Sequence, residues 1–135
     1  MRSDSQTVPG WTLIELLFVL ALMGLCAGLA APSYHGLQQR SQRAQARMLL
    51  LQTAQSLERT AGVQGSYPTT LPAIAVTPNA PSYQLSLVSD GTHYVLTATP
   101  WGSQADDACG SLTLSDTGIR GVVNGRLSSS ACWSP

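Results

Sequence analysis

Apolar and polar positions divide this chain into stretches of different period. From Trp11 to Ala31 the residues WTLIELLFVLALMGLCAGLAA are apolar almost without interruption and carry one charge, Glu15. A hydrocarbon core about 30 Å thick takes roughly 20 such residues to cross, so the run is long enough for a span. From Ser33 to about Ala61 the pattern becomes one-sided. Ala46, Leu50, Ala54, Leu57 and Ala61 recur at helical spacing among good helix formers, which predicts an amphipathic helix covered on one face. Gly62 and Gly65 predict its end. The loop SYPTTLPAIAVTPNAP follows, and its Pro68, Pro72, Pro78 and Pro81 bar a helix there. Then SYQLSLVS and THYVLTAT alternate around Asp90-Gly91, a hairpin signal, and SLTLS and GIRGVV flank a turn at Asp116-Thr117-Gly118. Leu85, Leu87, Tyr94 and Leu96, or their alternates, would form the inner face of three or four antiparallel strands. The predicted class is α+β: a long N-terminal helix, hydrophobic half plus amphipathic half, packed on a 3-4 stranded antiparallel sheet.

Composition narrows the possibilities. With 135 residues and a formal net charge of zero, the chain has room for one span and one small head. Only 10% of residues are charged and lysine is absent, so the basic footprint that neutralises phosphates is missing and nucleic acid is not an expected partner. The leader MRSDSQTVPG has Arg2 as its only base, and the apolar run behind it exceeds the roughly 7–15 residues of a signal-peptide core. Cutting after Ala31 would start a mature chain at Pro32, whereas cutting after Gly10 retains the span. Glu15 is costly inside lipid, about 2.5–3.5 kcal/mol near the centre of a helix and less near the headgroups. It must be paired, protonated or close to the interface, and one turn from a helix start the helix dipole also favours it.

Gly10, then WTLIEL, then an uninterrupted apolar helix, then APSY resembles the N-terminal signal of type IV prepilins: a glycine, an aromatic, Thr-Leu-Ile-Glu-Leu, and later a proline and a tyrosine. The resemblance covers roughly the first 35 residues; Trp11 stands where phenylalanine is usual and Pro9 where lysine is common. It implies that a prepilin peptidase cuts after Gly10 and that the new terminus at Trp11 is N-methylated. It also implies that Glu15 pairs with the N-terminal amine of a neighbouring subunit, which supplies the partner that a buried carboxylate needs. Residues 1–10 would then be leader, 11–32 the transmembrane and filament-core helix, 33–65 the amphipathic helix, and 66–135 the loop and β-sheet head. Gly24 and Gly28 form a G-x-x-x-G that lets helices approach closely, and with Pro32 they sit where pilin helices loosen in filaments. Cys26 reads as a small apolar side chain with no second thiol nearby.

In a head exported beyond the inner membrane, Cys109 and Cys132 would meet an oxidising compartment. A disulfide between them, worth about 3 kcal/mol, would close the last hairpin. ACGSLTLSDTGIRG followed by SSSACW also resembles the C-terminal loop of pilins of the PilE type. Arg40, Arg43 and Arg47 form a stripe read as a solvated face, with anionic headgroups before extraction from the membrane, or acidic heads of neighbours in a filament, as further contacts. Asp106-Asp107 reads as an acidic pair in a solvated loop, and His93 as a packed or exposed strand residue. His35 and His93 are far apart and no CxxC is present, so neither metal nor cofactor is expected. No GxSxG, P-loop or GxGxxG occurs, and no catalytic residue is assigned.

The resemblance implies a structural subunit of a type IV pilus, more a minor one than the major fibre protein, that supports motility, adhesion or DNA uptake. Its partners would be other pilin subunits, prepilin peptidase, the inner-membrane assembly machinery and, before assembly, membrane lipid. It would sit in the inner membrane as a single-pass protein and then in the extracellular filament. Two alternatives share the signal. A type II secretion pseudopilin often uses calcium in place of the C-terminal disulfide, and a DNA-uptake pilin would need a basic strip from Arg40, Arg43, Arg47, Arg59, Arg120 and Arg126.

Overall fold

The computed structural model describes residues 11–75 and 82–134, with the side chains of all but 29–33 and 74. The expected leader with Gly10, the loop prolines Pro78 and Pro81, and the side chain of Pro32 lie outside the described residues. The chain divides into two compact units, 1–37 and 38–135, and each is taken by itself.

Helix α1, Leu13–Gln64, contributes to both units. Its start is defined by the Thr12 carbonyl, which accepts from the N–H groups of Glu15 at 3.1 Å and Leu16 at 3.3 Å. Thr12 is thus the N-cap, and Glu15 stands three residues on, the spacing of a capping box. In the first unit Leu13, Ile14, Leu17, Phe18, Leu20 and Met23 are all exposed, so α1 is apolar on every side there. Among the described residues no helix is long and apolar enough to cross a membrane, and the run expected to span, Trp11 to Ala31, ends on residues whose side chains lie outside that description.

In the second unit α1 becomes one-sided. Ala46, Leu50, Thr53 and Leu57 are buried, one stripe at helical spacing. The helix runs through Gly62 and stops at Gly65, which takes φ 77° while its N–H bonds the Ala61 carbonyl at 2.8 Å. Of the two glycines expected at the terminus, only Gly65 adopts the left-handed conformation that ends a helix without strain.

Four antiparallel strands follow in the order β1-β2-β3-β4: β1 Tyr83–Ser89, β2 Tyr94–Pro100, β3 Ser111–Ser115 and β4 Arg120–Val123. Leu87 faces Leu96, Leu96 faces Leu114, and Leu114 faces Arg120, so a single cross-strand row runs along the inner face. Tyr94, Leu96, Ala98, Leu112 and Leu114 are buried with the α1 stripe, while Leu85 and Leu87 on the edge strand β1 are only half-buried. A short helix, α2 (Ser129–Trp133), and 3₁₀ turns at Ala73–Ala75 and Gly102–Gln104 complete the described elements. The turn at 73–75 lies in the loop where the prolines bar an α-helix; three residues between Pro72 and Pro78 suffice for a 3₁₀ turn.

Thr53 departs from the apolar pattern: it is fully buried, and its hydroxyl has no partner among the described residues. Leu50→Ala is expected to cost about 2–5 kcal/mol, because it opens a cavity at the centre of the seam. Thr53→Val keeps the shape and removes an unpaired hydroxyl, so it should leave stability unchanged or raise it by about 1 kcal/mol. Denaturant unfolding of the two variants checks both, and a Thr53→Val loss as large as that of Leu50→Ala would show that the hydroxyl is used.

Candidate functional site

Two regions carry the residues singled out by sequence, and they belong to different units. In the first, Trp11 is 69% exposed and Glu15 lies in the first turn of α1. Among the described residues the Glu15 carboxylate has no partner, although apolar side chains surround its helix. A Cβ built at Gly24 or Gly28 meets nothing within 4 Å, so the subunit itself gives no reason for glycine at either position. Cys26 is a free, exposed thiol.

The second region is the C-terminal loop. Cys109 and Cys132 are joined across a sequence separation of 23, enclosing β3, β4 and most of α2. The backbones near the bond are pressed together. A Cβ on Gly110 would lie 2.5 Å from the Val123 carbonyl oxygen, and one on Gly125 would lie 2.4 Å from that of Cys109. Ser128 caps α2 by accepting from the Ala131 N–H. Trp133 donates its indole N–H to the Gly121 carbonyl at 3.0 Å, and Ser129 donates to that of Arg120 at 2.7 Å. Side chains of the C-terminal segment therefore satisfy carbonyls on the edge strand β4. The Arg120 guanidinium stacks 5.3 Å from the centre of the Trp133 ring.

The arginine stripe is not a solvated face. Arg43 donates to both carboxylate oxygens of Asp107, from Nε at 3.0 Å and from Nη2, and the Tyr83 hydroxyl donates to the same carboxylate. Arg47 donates to the carbonyls of Cys132 and Ser134. Only Arg40 stands exposed as expected. The acidic pair is likewise split: Asp106 is exposed, whereas the Asp107 side chain is fully buried. Burial works against the Asp107 charge, but donors on Arg43 and Tyr83 and the Cys109 N–H outweigh it and hold the carboxyl below its usual range. The Arg43 guanidinium is raised in turn, chiefly by its bond to Asp107. Burial first, and then Asp107, push the Tyr83 phenol up. No local signal pointed to this cluster, because Arg43 and Asp107 are 64 residues apart.

A second polar cluster occupies the turns. Glu58 accepts from the hydroxyls of Tyr67 at 3.0 Å and Tyr94 at 3.2 Å, and the two rings meet edge to face at 4.8 Å. His93 pairs with Asp116 at 2.7 Å, joining the two hairpin turns, and that bond raises the imidazole above its ordinary value. Asp90 caps its own turn through the N–H groups of Thr92 and His93 and is held down to about 2, first by the His93 N–H. Beside this cluster α1 and the β3–β4 hairpin leave a groove of about 490 Å³, floored by Leu51, Ala54 and Leu114 and rimmed by Glu58, Arg59, Asp116 and Arg120. No three His, Cys, Asp or Glu side chains converge as metal ligands among the described residues.

Comparisons with known proteins agree with this geometry. A family model described as type IV minor pilin ComP, DNA uptake sequence receptor, matches residues 32–113. The fold is similar to that of a type IV pilin from Shewanella oneidensis, with 31% identity and a TM-score of 0.55 over 72% of this chain and 99% of the other. It is also similar to the non-core minor pilin PilV of Neisseria meningitidis, with 26% identity and a TM-score of 0.53 over 68% and 93% of the two chains. No curated protein matches the sequence.

Asp107→Asn should destabilise the head by roughly 3 kcal/mol, the lower end of what breaking a buried pair costs, because Arg43 keeps some access to water. The depressed Asp107 carboxyl stabilises the fold fully above its unfolded value of about 4, and that contribution is lost as pH falls through its folded value. His93 has the opposite sign: its pair with Asp116 contributes below about 6.5 and fades as pH rises through the raised imidazole value. Urea midpoints measured against pH should therefore show an acid limb that is flattened in Asp107→Asn. An unchanged acid limb would place the acid sensitivity elsewhere.

Proposed function

We infer the working of this chain from its family: it belongs to the type IV minor pilins, and as such it is a structural subunit of a pilus filament. One observation supports a specific mode of assembly: a helix that is apolar on every side in its first part carries, at its very start, a single carboxylate without a partner among the described residues. Prepilin peptidase would cut after Gly10 and leave a methylated amine on Trp11, four residues from Glu15. In the membrane pool Glu15 lies near the headgroups at the helix start, where the dipole favours it. In the filament core the amine of a neighbouring subunit replaces water as its partner, and each addition makes one such pair. Gly24 and Gly28, unused by the subunit, would admit close helix contacts, and Pro32 would mark where α1 loosens. Before assembly the protein is a single-pass protein of the inner membrane, handed to the assembly machinery there.

Mass spectrometry of the membrane pool should find a chain beginning with methylated Trp11; a terminus beyond Ala31 would refute the signal. Glu15→Ala should insert and fold normally, yet fall at least about a hundredfold in sheared filaments relative to the membrane pool, since breaking one side of a buried pair costs about 3–5 kcal/mol. Normal incorporation would leave Glu15 with an interfacial role alone.

A second reading, receptor for incoming DNA, draws on the family description and on the charge left over in the head. The overall charge is balanced, but in the head every described acid except Asp106 is held by an internal partner. Within the disulfide loop Asp116 is held by His93, whereas Arg120 and Arg126 have no carboxylate among the described residues. With Arg40 and Arg59 at most four guanidiniums are free for phosphates. Duplex binding should then weaken with salt along a log-log slope no steeper than about −3.6. Titrations of duplex DNA against salt measure it, and no binding at low salt sinks this reading.

A further inference from the structure

Two patches of the head carry chemistry that the subunit leaves unused. Among the side-chain carboxylates described between 38 and 134, Glu58 accepts from two tyrosines, Asp90 from its own turn, Asp107 from Arg43 and Tyr83, and Asp116 from His93. Only the Asp106 carboxylate accepts nothing, and the residue is exposed. Arg126 donates to the Asp106 backbone carbonyl at 3.3 Å, which sets a base beside this acid, and Leu127 follows, 45% exposed. The ridge they form is stiff. The N–H groups of Arg126 and Leu127 both bond the Ala108 carbonyl, at 2.7 and 3.2 Å, and the Cys109–Cys132 bond closes the loop beneath them.

The groove between α1 and the β3–β4 hairpin has the complementary chemistry. Its floor is apolar, and on its rim Arg59 has no partner among the described residues while Arg120 has only the Trp133 ring. Glu58 and Asp116 supply acid on the same rim. We propose that the ridge of Asp106, Arg126 and Leu127 in one copy seats in this groove of a second copy, so that the subunit enters filaments in adjacent pairs or runs. Leu127 meets the floor, Asp106 meets Arg59 and Arg120, and Arg126 meets Glu58 and Asp116. The apolar contact supplies attraction, and the two-signed rim sets the register and rejects neighbours of the wrong pattern.

Placement within the head suits such a contact. Asp106 adjoins Asp107, which is held by Arg43, whereas the groove uses α1 around Gln55. The two levels of the helix differ by roughly 18 Å at 1.5 Å per residue, so ridge and groove are displaced along its axis. Because they are different surfaces, the contact is heterologous and leaves a free ridge at one end and a free groove at the other, the condition for an open chain of copies.

The proposal rests on the pilus-subunit reading, and the experiment separates the two. A photo-crosslinking residue is placed at Leu127 of the full chain, and sheared filaments are irradiated. The expected product is a covalent dimer of this chain whose second end maps to Leu51–Arg59 or Leu114–Arg120. Asp106→Arg and Arg59→Asp should each lower the dimer yield about tenfold, and the double variant should return it to within about threefold of the parent. One reactive thiol, Cys26, in each denatured variant reports that the disulfide-closed head has formed. In filaments that contain the chain, a Leu127 crosslink to a different pilin, or none, overturns the contact and leaves the subunit reading standing. Loss of DNA binding in Arg59→Asp with unchanged dimer yield gives the groove to nucleic acid and also overturns the contact. Absence of the unlabelled wild-type chain from sheared filaments overturns the subunit reading and the contact with it.

Discussion

The head depends on one seam, in which the buried stripe of α1 from Ala46 to Leu57 lies with the alternating inner face of β2 and β3 in a single core. A helix stripe and a pleated face each leave apolar surface that must be covered, and here each supplies the other's cover. Edge strands contribute less, as half-buried Leu85 and Leu87 show. Because the seam uses one side of α1 only, the arginines beside it remain available. Arg43 and Arg47, one turn apart, reach past the core to the buried Asp107 and to the carbonyls of the C-terminal segment. The helix that carries the apolar N-terminal part thus also holds the far end of the chain.

That coupling holds the part of the C-terminal loop beyond β3, where Val122 and Trp133 are only partly buried against the core. A covalent bond, a stacked Trp133, a capped α2 and the two arginine contacts act on a stretch of some two dozen residues. Polar contacts of this kind bring modest net stability, yet they fix orientation, because each donor has one place to go. The outcome is a rigid surface made from short elements.

Much of this was legible in the sequence, and the reasons differ by element. The strands and their turns follow from period-two alternation around Asp90-Gly91 and Asp116-Thr117-Gly118, which are local patterns. The α1 stripe follows from helical spacing, and the Cys109–Cys132 pair from the expected compartment and the resemblance to pilins. The Asp107 cluster was hidden because burial of a carboxylate depends on partners supplied by α1 and β1, far away in sequence. Asp106 and Asp107 look alike in sequence, and only the turn that buries one of them distinguishes the two. Helix α2 was hidden for another reason: five residues are too few to show a period. The surplus of guanidinium was hidden as well: the whole sequence counts to zero, yet in the head Arg40, Arg59, Arg120 and Arg126 find no carboxylate among the described residues, whereas of its five acids only Asp106 accepts nothing.

The crowding beneath the disulfide also sets where this head tolerates change over evolutionary time. Gly110 and Gly125 each face backbone atoms closer than any side chain permits, and Gly110 also holds φ 57°. Their positions are closed to variation unless the backbone moves. The tip of the β3–β4 hairpin is different: Thr117, Gly118 and Ile119 are exposed, and a Cβ added at Gly118 meets nothing, although its φ of 77° still favours glycine. Sequence drift in this loop should therefore concentrate at the hairpin tip, so that relatives present differing surfaces on an unaltered frame.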